Sequence, residues 1–132
     1  MLCGERTHLI VVDTSALLAV LFAEHQAQSI AKILSAADAP IMSAVNYTEC
    51  LIGVLDRAPD SAAVLERALA EFAVEIMPVD RLLASAAAHA RLKYPINLGD
   101  CFACSLAKAR GIALLTLDSD FAKTDAQLVA VG

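Results

Sequence analysis

Leu9-Ile10-Val11-Val12-Asp13-Thr14-Ser15 is an unbroken aliphatic, largely β-branched run that stops at three polar residues in succession. A strand buried on both faces of a parallel sheet needs such a run, because neither set of alternating side chains meets water. Asp-Thr-Ser directly after it is a helix-start signal, so the stretch predicts a strand that hands over at once to a helix. Working outward, apolar residues recur at helical spacing from Ala16 to Phe22, and again through Ala27, Ile30, Ala31, Ile33 and Leu34. Ala39-Pro40-Ile41-Met42 predicts a second short strand, Ser43 a cap, and Ala44 to Leu55 a helix that ends before Pro59. Asp60-Ser61 starts another helix, with Val64, Leu65, Ala68, Leu69 and Phe72 on one face. Val74 to Met77 is a third strand stopped by Pro78, and Asp80 caps a helix to about Lys93. After the loop Tyr94 to Gly99, Asp100 is expected to open a helix that ends at Arg110-Gly111. Ile112 to Thr116 reads as a strand, Leu117 to Thr124 as a loop or short turn, and Gln127 to Val131 as a last strand. Strands alternate with helices throughout, which specifies an α/β fold with a parallel sheet and short crossovers.

The 132 residues suit one compact domain. Hydrophobic residues reach 58% and charged residues 19%, with 5 Gly and 4 Pro, which excludes disordered, collagen-like and low-complexity chains. Alanine supplies 27 residues and Trp none, favouring close-packed helices over an all-β sandwich. Cys3, Cys50, Cys101 and Cys104 are too sparse for a disulfide scaffold and lack zinc-finger spacing, so a cytoplasmic location is expected. Asp13 interrupts the apolar stretch Leu9 to Ala23, and no uncharged run of about 18 residues exists, which argues against a signal peptide and a membrane span. The net charge of −5 argues against a protein that coats phosphates generally.

The placement of the acids matters more than their sum. Ligands in parallel α/β folds bind just beyond the carboxyl ends of the strands. Asp13 follows the first strand, Asp100 follows the conspicuous loop, and Asp118 and Asp120 follow the strand Ile112 to Thr116. Glu49 lies two turns into a helix among Tyr47, Cys50, Leu51 and Ile52. Taken singly, Asp13 and Asp100 also read as N-caps and Asp118-Ser119-Asp120 as an ordinary turn. Together they read as one site, because converging carboxylates repel each other unless a cation neutralises them. With no His or Cys at ligand spacing, the expected ion is hard, Mg²⁺ or Mn²⁺, and a carboxylate site that leaves waters on the metal suits phosphate-ester chemistry. In an extended segment, side chains two residues apart lie about 7 Å apart, so Asp118 and Asp120 reach one point only if the chain bends between them. His8, His25 and His89 have no partner at recognisable spacing and are assigned no site role.

These residues identify a resemblance. Val11-Val12-Asp13-Thr14-Ser15-Ala16, Tyr47-Thr48-Glu49, Leu98-Gly99-Asp100-Cys101-Phe102-Ala103 and the segment Asp118 to Asp125 resemble, in order, the motifs of PIN-domain ribonucleases, in particular the VapC-like toxins of toxin-antitoxin pairs. The departure is Asp118, which stands where the family commonly has glycine. The resemblance implies a single PIN domain over residues 1–132, with residues 1–8 as an N-terminal extension. It implies a three-layer fold with a short parallel sheet of four to five strands flanked by helices. It also implies a metal-binding, catalytic set of Asp13, Glu49, Asp100 and one or both of Asp118 and Asp120. The implied activity is Mg²⁺- or Mn²⁺-dependent endoribonuclease, with RNA as substrate, a VapB-like antitoxin as partner, and a homodimer as the assembly. Thr14 and Ser15 could cap the helix or hydrogen-bond a metal ligand. Arg81, Arg91, Lys93, Lys108, Arg110 and Lys123 are candidates to contact phosphates or, equally, solvated helix ends.

The alternatives are a catalytically silent module of the same fold that engages an antitoxin or RNA, and three other enzyme or switch classes. A haloacid-dehalogenase-like phosphatase needs a second Asp where Ser15 stands, and a receiver domain needs a late-strand Lys that is missing. Cys101-x-x-Cys104 lacks the preceding strand of a thiol oxidoreductase.

Overall fold

The structure is a computed structural model that describes residues 9–132; the expected extension 1–8, with Cys3 and His8, lies outside the described residues. In chain order the elements are β1 (Ile10–Val12), α1 (Thr14–Leu21), α2 (Ala27–Ala36), β2 (Ile41–Ser43), α3 (Ala44–Arg57), α4 (Ala62–Glu71), β3 (Glu75–Met77), α5 (Arg81–Lys93), α6 (Leu98–Arg110) and β4 (Ala113–Leu115), then a 3₁₀ turn, Ser119–Lys123. The four strands are parallel in the order β3-β2-β1-β4.

The opening run behaves as its composition demands. Successive side chains of a strand point to opposite faces. Ile10 and Val12 join Leu115 and Met42 in a core built with Leu17, Ile30, Leu34, Val54 and Leu65 from α1 to α4. Val11 joins Ile41 and Leu114 in a second core with Leu83, Ala87, Ala103, Leu106 and Phe121, on the side of α5 and α6. The sheet is therefore the middle of three layers, and β1 has no face left for a polar residue. Burying one aliphatic side chain of this size contributes about 1.5–3 kcal/mol, so each layer depends on the run being unbroken.

Besides shifts of one or two residues at element ends, two features differ from the expectation. Helix α6 starts at Leu98, because Asn97 rather than Asp100 caps it: the Asn97 side chain accepts from Asp100 N at 2.9 Å. The strand expected over Gln127 to Val131 does not form; the segment touches the sheet through one parallel bridge, Leu114 to Leu128. The reason is the alternation of backbone groups along β4. Ala113 and Leu115 face β1, with Asp13 N donating to Leu115 O at 2.9 Å. Leu114 alone faces outward, donating to Gln127 O at 2.8 Å and accepting from Val129 N at 2.9 Å. Three residues of strand offer one outward pairing position.

The sequence leaves β1 toward β2 and returns to its other side as β4. The carboxyl ends of β1 and β4 thus flank a topological switch point, where the crevices of open α/β sheets form.

Candidate active site and metal centre

Asp13 sits where β1 turns into α1, with the extended backbone of an N-cap but no side-chain cap hydrogen bond. Its Oδ2 instead accepts from Ser15 Oγ and from Thr116 Oγ1, each at 2.8 Å, tying the end of β1 to the end of β4. Those hydroxyls accept in turn from Leu117 N at 2.9 Å and Asp118 N at 3.0 Å, so the chain after β4 is positioned by the same group. Asp13 is 2% exposed, and burial raises its pKa above the ordinary value while the two hydroxyls pull it back.

Asp100 stands in the first turn of α6, its own N–H already taken by Asn97. Its carboxylate is not a cap, and its buried Oδ2 has no hydrogen-bond partner among the described residues. Burial first, then the negative charges of Asp13, Asp118 and Glu49, push its pKa up to about 7 against a weaker lowering by the Asn97 backbone.

After β4 the chain bends. Asp118 caps the 3₁₀ turn, its Oδ1 accepting from Asp120 N at 2.9 Å, and this bend brings both aspartates toward Asp100. One oxygen from each of Asp100, Asp118 and Asp120 lies within 4.8 Å of the others. Among the described residues no His or Cys joins this trio. Asp120 Oδ1 also lies 3.6 Å from the exposed Lys123 Nζ.

Glu49 comes from α3, which Ser43 caps as expected. Thr14 Oγ1 donates to Glu49 Oε1 at 2.7 Å and Asn46 Nδ2 donates to it at 3.2 Å. The carboxylate lies so close to Gly99 that a Cβ there would fall on it. Glu49 is therefore next to Asp100 in space, 51 positions earlier in the chain. Thr14 and Ser15, each with two readings in the sequence, both spend their hydroxyls on site carboxylates.

The donor set fits a hard divalent cation. Its atoms are all carboxylate oxygens, which such ions bind at roughly 2.0–2.6 Å. The unpartnered Asp100 Oδ2 and the raised Asp100 pKa are the two stresses a cation would relieve.

Sequence reasoning missed Thr116 and Asn46. The Ser43-x-x-Asn46-x-x-Glu49 spacing, one face of a helix start, could have drawn attention to Asn46. Some basic candidates are already engaged: Lys108 pairs with Asp125 at 2.9 Å, and Lys93 lies 5.3 Å from the Tyr94 ring centre. Cys101 and Cys104 are buried and burial raises both thiols, while Cys50 is pushed up to about 12 by burial and by Asp13 and Glu49. None has the depressed pKa of a reactive thiol.

A parallel α/β sheet with carboxylates gathered at its switch point defines a class, and the comparisons agree with it. The family model described as PIN domain matches residues 10–127, and the chain belongs to that family. Its relatives include ribonuclease VapC28 of Mycobacterium tuberculosis, 38% identical over 130 residues, covering 89% of this chain and 96% of that one. Ribonuclease VapC42 of the same organism is 33% identical over 125 residues, covering 88% and 95%. Among solved structures, M. tuberculosis VapC20, a sarcin-ricin loop cleaving toxin, matches with a TM-score of 0.75 at 16% identity, covering 91% and 98%. A toxin-antitoxin complex from Klebsiella pneumoniae matches with a TM-score of 0.71 at 19% identity, covering 91% and 96%. Both likenesses show the three-layer fold. No helix among the described residues is long and apolar enough to cross a membrane.

Proposed function

We propose that this chain is a divalent-metal-dependent endoribonuclease that acts as the toxin of a toxin-antitoxin pair. The observation that carries the reading is the buried Asp100 carboxylate, whose Oδ2 has no hydrogen-bond partner among the described residues and one oxygen of which lies within 4.8 Å of oxygens from Asp118 and Asp120. The relatives named ribonuclease supply the substrate class.

Asp100, Asp118 and Asp120 would hold the ion, Mg²⁺ or Mn²⁺. When bound, the ion lowers the pKa of a water and polarises the scissile phosphodiester. The chain's own groups do the rest. Asp13, fixed by Ser15 and Thr116, holds the two strand ends together and adds a negative charge beside Asp100 that a bound cation would offset. Glu49 presents a carboxylate whose Oε1 is occupied by two donors, leaving Oε2 to orient a water and take its proton as the water oxygen bonds to phosphorus; the ester P–O bond breaks with its electron pair going to the leaving oxygen, which takes a proton from solvent. No covalent enzyme intermediate is required.

In this reading residues 1–132 are one domain with residues 1–8 as an extension, working in the cytoplasm as a homodimer held in check by a small VapB-like antitoxin. The contact surfaces in this reading are the first helices, Ala16 to Ala37, and the helix Ala44 to Leu55, which carries Ile52 at 54% exposure; α5 adds Leu82 at 80% and Leu92 at 87%. Co-expression with a cognate VapB-like antitoxin should restore growth to a host arrested by the chain alone. Unimpaired growth under strong expression of soluble chain would contradict the toxin assignment.

A further inference from the structure

Asn46 has no solvent exposure and is not one of the acids, yet it touches three segments of the site. Ser43 Oγ donates to Asn46 Oδ1 at 2.6 Å and accepts from Asn46 N at 3.1 Å. This pair orients the amide, with its oxygen toward Ser43 and its NH₂ group toward the site. Asn46 Nδ2 then donates to Gly99 O at 3.1 Å, and lies 3.2 Å from both Glu49 Oε1 and Thr14 Oγ1. An amide has two N–H groups for these three acceptors. One serves Gly99, and the other is shared by Glu49 and Thr14, which are themselves bonded at 2.7 Å.

Glu49 is thereby held from two sides. Asn46 and Thr14 grip Oε1, while the bare backbone of Gly99 lies against the carboxylate with no room for a Cβ. Oε2 accepts no hydrogen bond from the described residues. An apolar residue of similar volume would fill the same space without an amide to desolvate, so packing alone does not account for the choice.

We propose that Asn46 is a positioning residue for RNA hydrolysis: its buried amide, anchored by Ser43 and Gly99, seats the Glu49 carboxylate beside Asp100 with Oε1 occupied and Oε2 free. The claim rests on the nuclease reading of the site, and it acts through Glu49.

The test is a double-mutant cycle of Asn46→Ala and Glu49→Ala, read as kcat and KM on a short RNA in Mg²⁺. Asn46→Ala lowers kcat at least 30-fold with KM within threefold, and the same change made on top of Glu49→Ala lowers kcat less than threefold further. Equal factors in both backgrounds, or a kcat near wild type, overturn the proposal. Should Asn46→Ala fail to fold, Asn46→Asp takes its place in the cycle. It keeps the size and the bond from Ser43 but turns a carboxylate toward Glu49, and the same coupling is expected. A wild-type chain that cleaves no RNA in Mg²⁺ or Mn²⁺ contradicts the nuclease reading instead. The positioning claim is then decided by the crystal structure of whichever variant folds: Glu49 withdrawn from Gly99 supports it, and an unmoved carboxylate overturns it.

Discussion

Asp100 is under two opposed demands, since the carboxylate that a cation needs ionised is buried among other carboxylates that favour its protonated form. Its pKa rises from the ordinary 3.8 to about 7 on folding, so between those values the native chain binds more protons than the unfolded one. Metal-free stability therefore falls as pH rises from about 4 to about 7, and the stabilisation gained from Mg²⁺ grows over the same window. Melting curves in EDTA and in Mg²⁺ from pH 5 to pH 8 check both slopes. Asp100→Asn removes the buried charge: it should flatten the metal-free slope, abolish the Mg²⁺-induced shift and lower cleavage at least 100-fold. Asp118 and Asp120 should be unequal, because Asp118 bears on the Asp100 pKa whereas Asp120 lies near Lys123. Asn still caps a turn, so Asp118→Asn isolates the charge. Calorimetry with Mn²⁺ should give a loss of tenfold or more for Asp118→Asn and only severalfold for Asp120→Asn. The aspartates stood out in the sequence because each follows a strand or a loop, and Glu49 because it sits in a helix among apolar neighbours. Thr116 and Asn46 did not, because they read as ordinary strand and helix residues: the Asp13 partner of Thr116 lies 103 positions away, and the Thr14 partner that ties Asn46 to the first strand's end lies 32 away.

Among the elements, β1 and the caps were the most legible, for local reasons. Ile10 to Val12 has no polar position, Ser43 accepts from Asn46 N, and Asp80 accepts from Leu83 N at 2.8 Å. The start of α6 was misplaced because Asn97 and Asp100 are both good caps, and sequence alone does not say which side chain the backbone takes. The last strand was overcalled because its pattern is apolar, whereas pairing depends on how many outward groups the short β4 offers. Helix α6 ends as its basic residue and glycine imply, with Gly111 left-handed at φ 66°. A Cβ there meets nothing within 4 Å, so Gly111→Ala isolates backbone strain. It should destabilise the fold by about 1 kcal/mol in urea titration while leaving kcat unchanged. A loss above 3 kcal/mol, or a changed kcat, would mean that this end of α6 reaches the site.

At the scale of the molecule, charge and site belong together. Removing Asp13, Glu49, Asp100, Asp118 and Asp120 from the 15 acids leaves 10 against 10 bases, so the formal net charge of −5 equals the number of site carboxylates. Light scattering at micromolar concentration should give the mass of two chains, and a monomer mass there would reject the homodimer. The central claim is that the clustered carboxylates hydrolyse RNA through a divalent ion, and one assay tests it most directly. Purified chain, freed of any antitoxin, is incubated with RNA in EDTA, in Mg²⁺ and in Mn²⁺, beside Asp100→Asn. The account predicts no cleavage in EDTA, cleavage restored by either ion, and at least 100-fold less from the variant; undiminished cleavage in EDTA, or by Asp100→Asn, would contradict it.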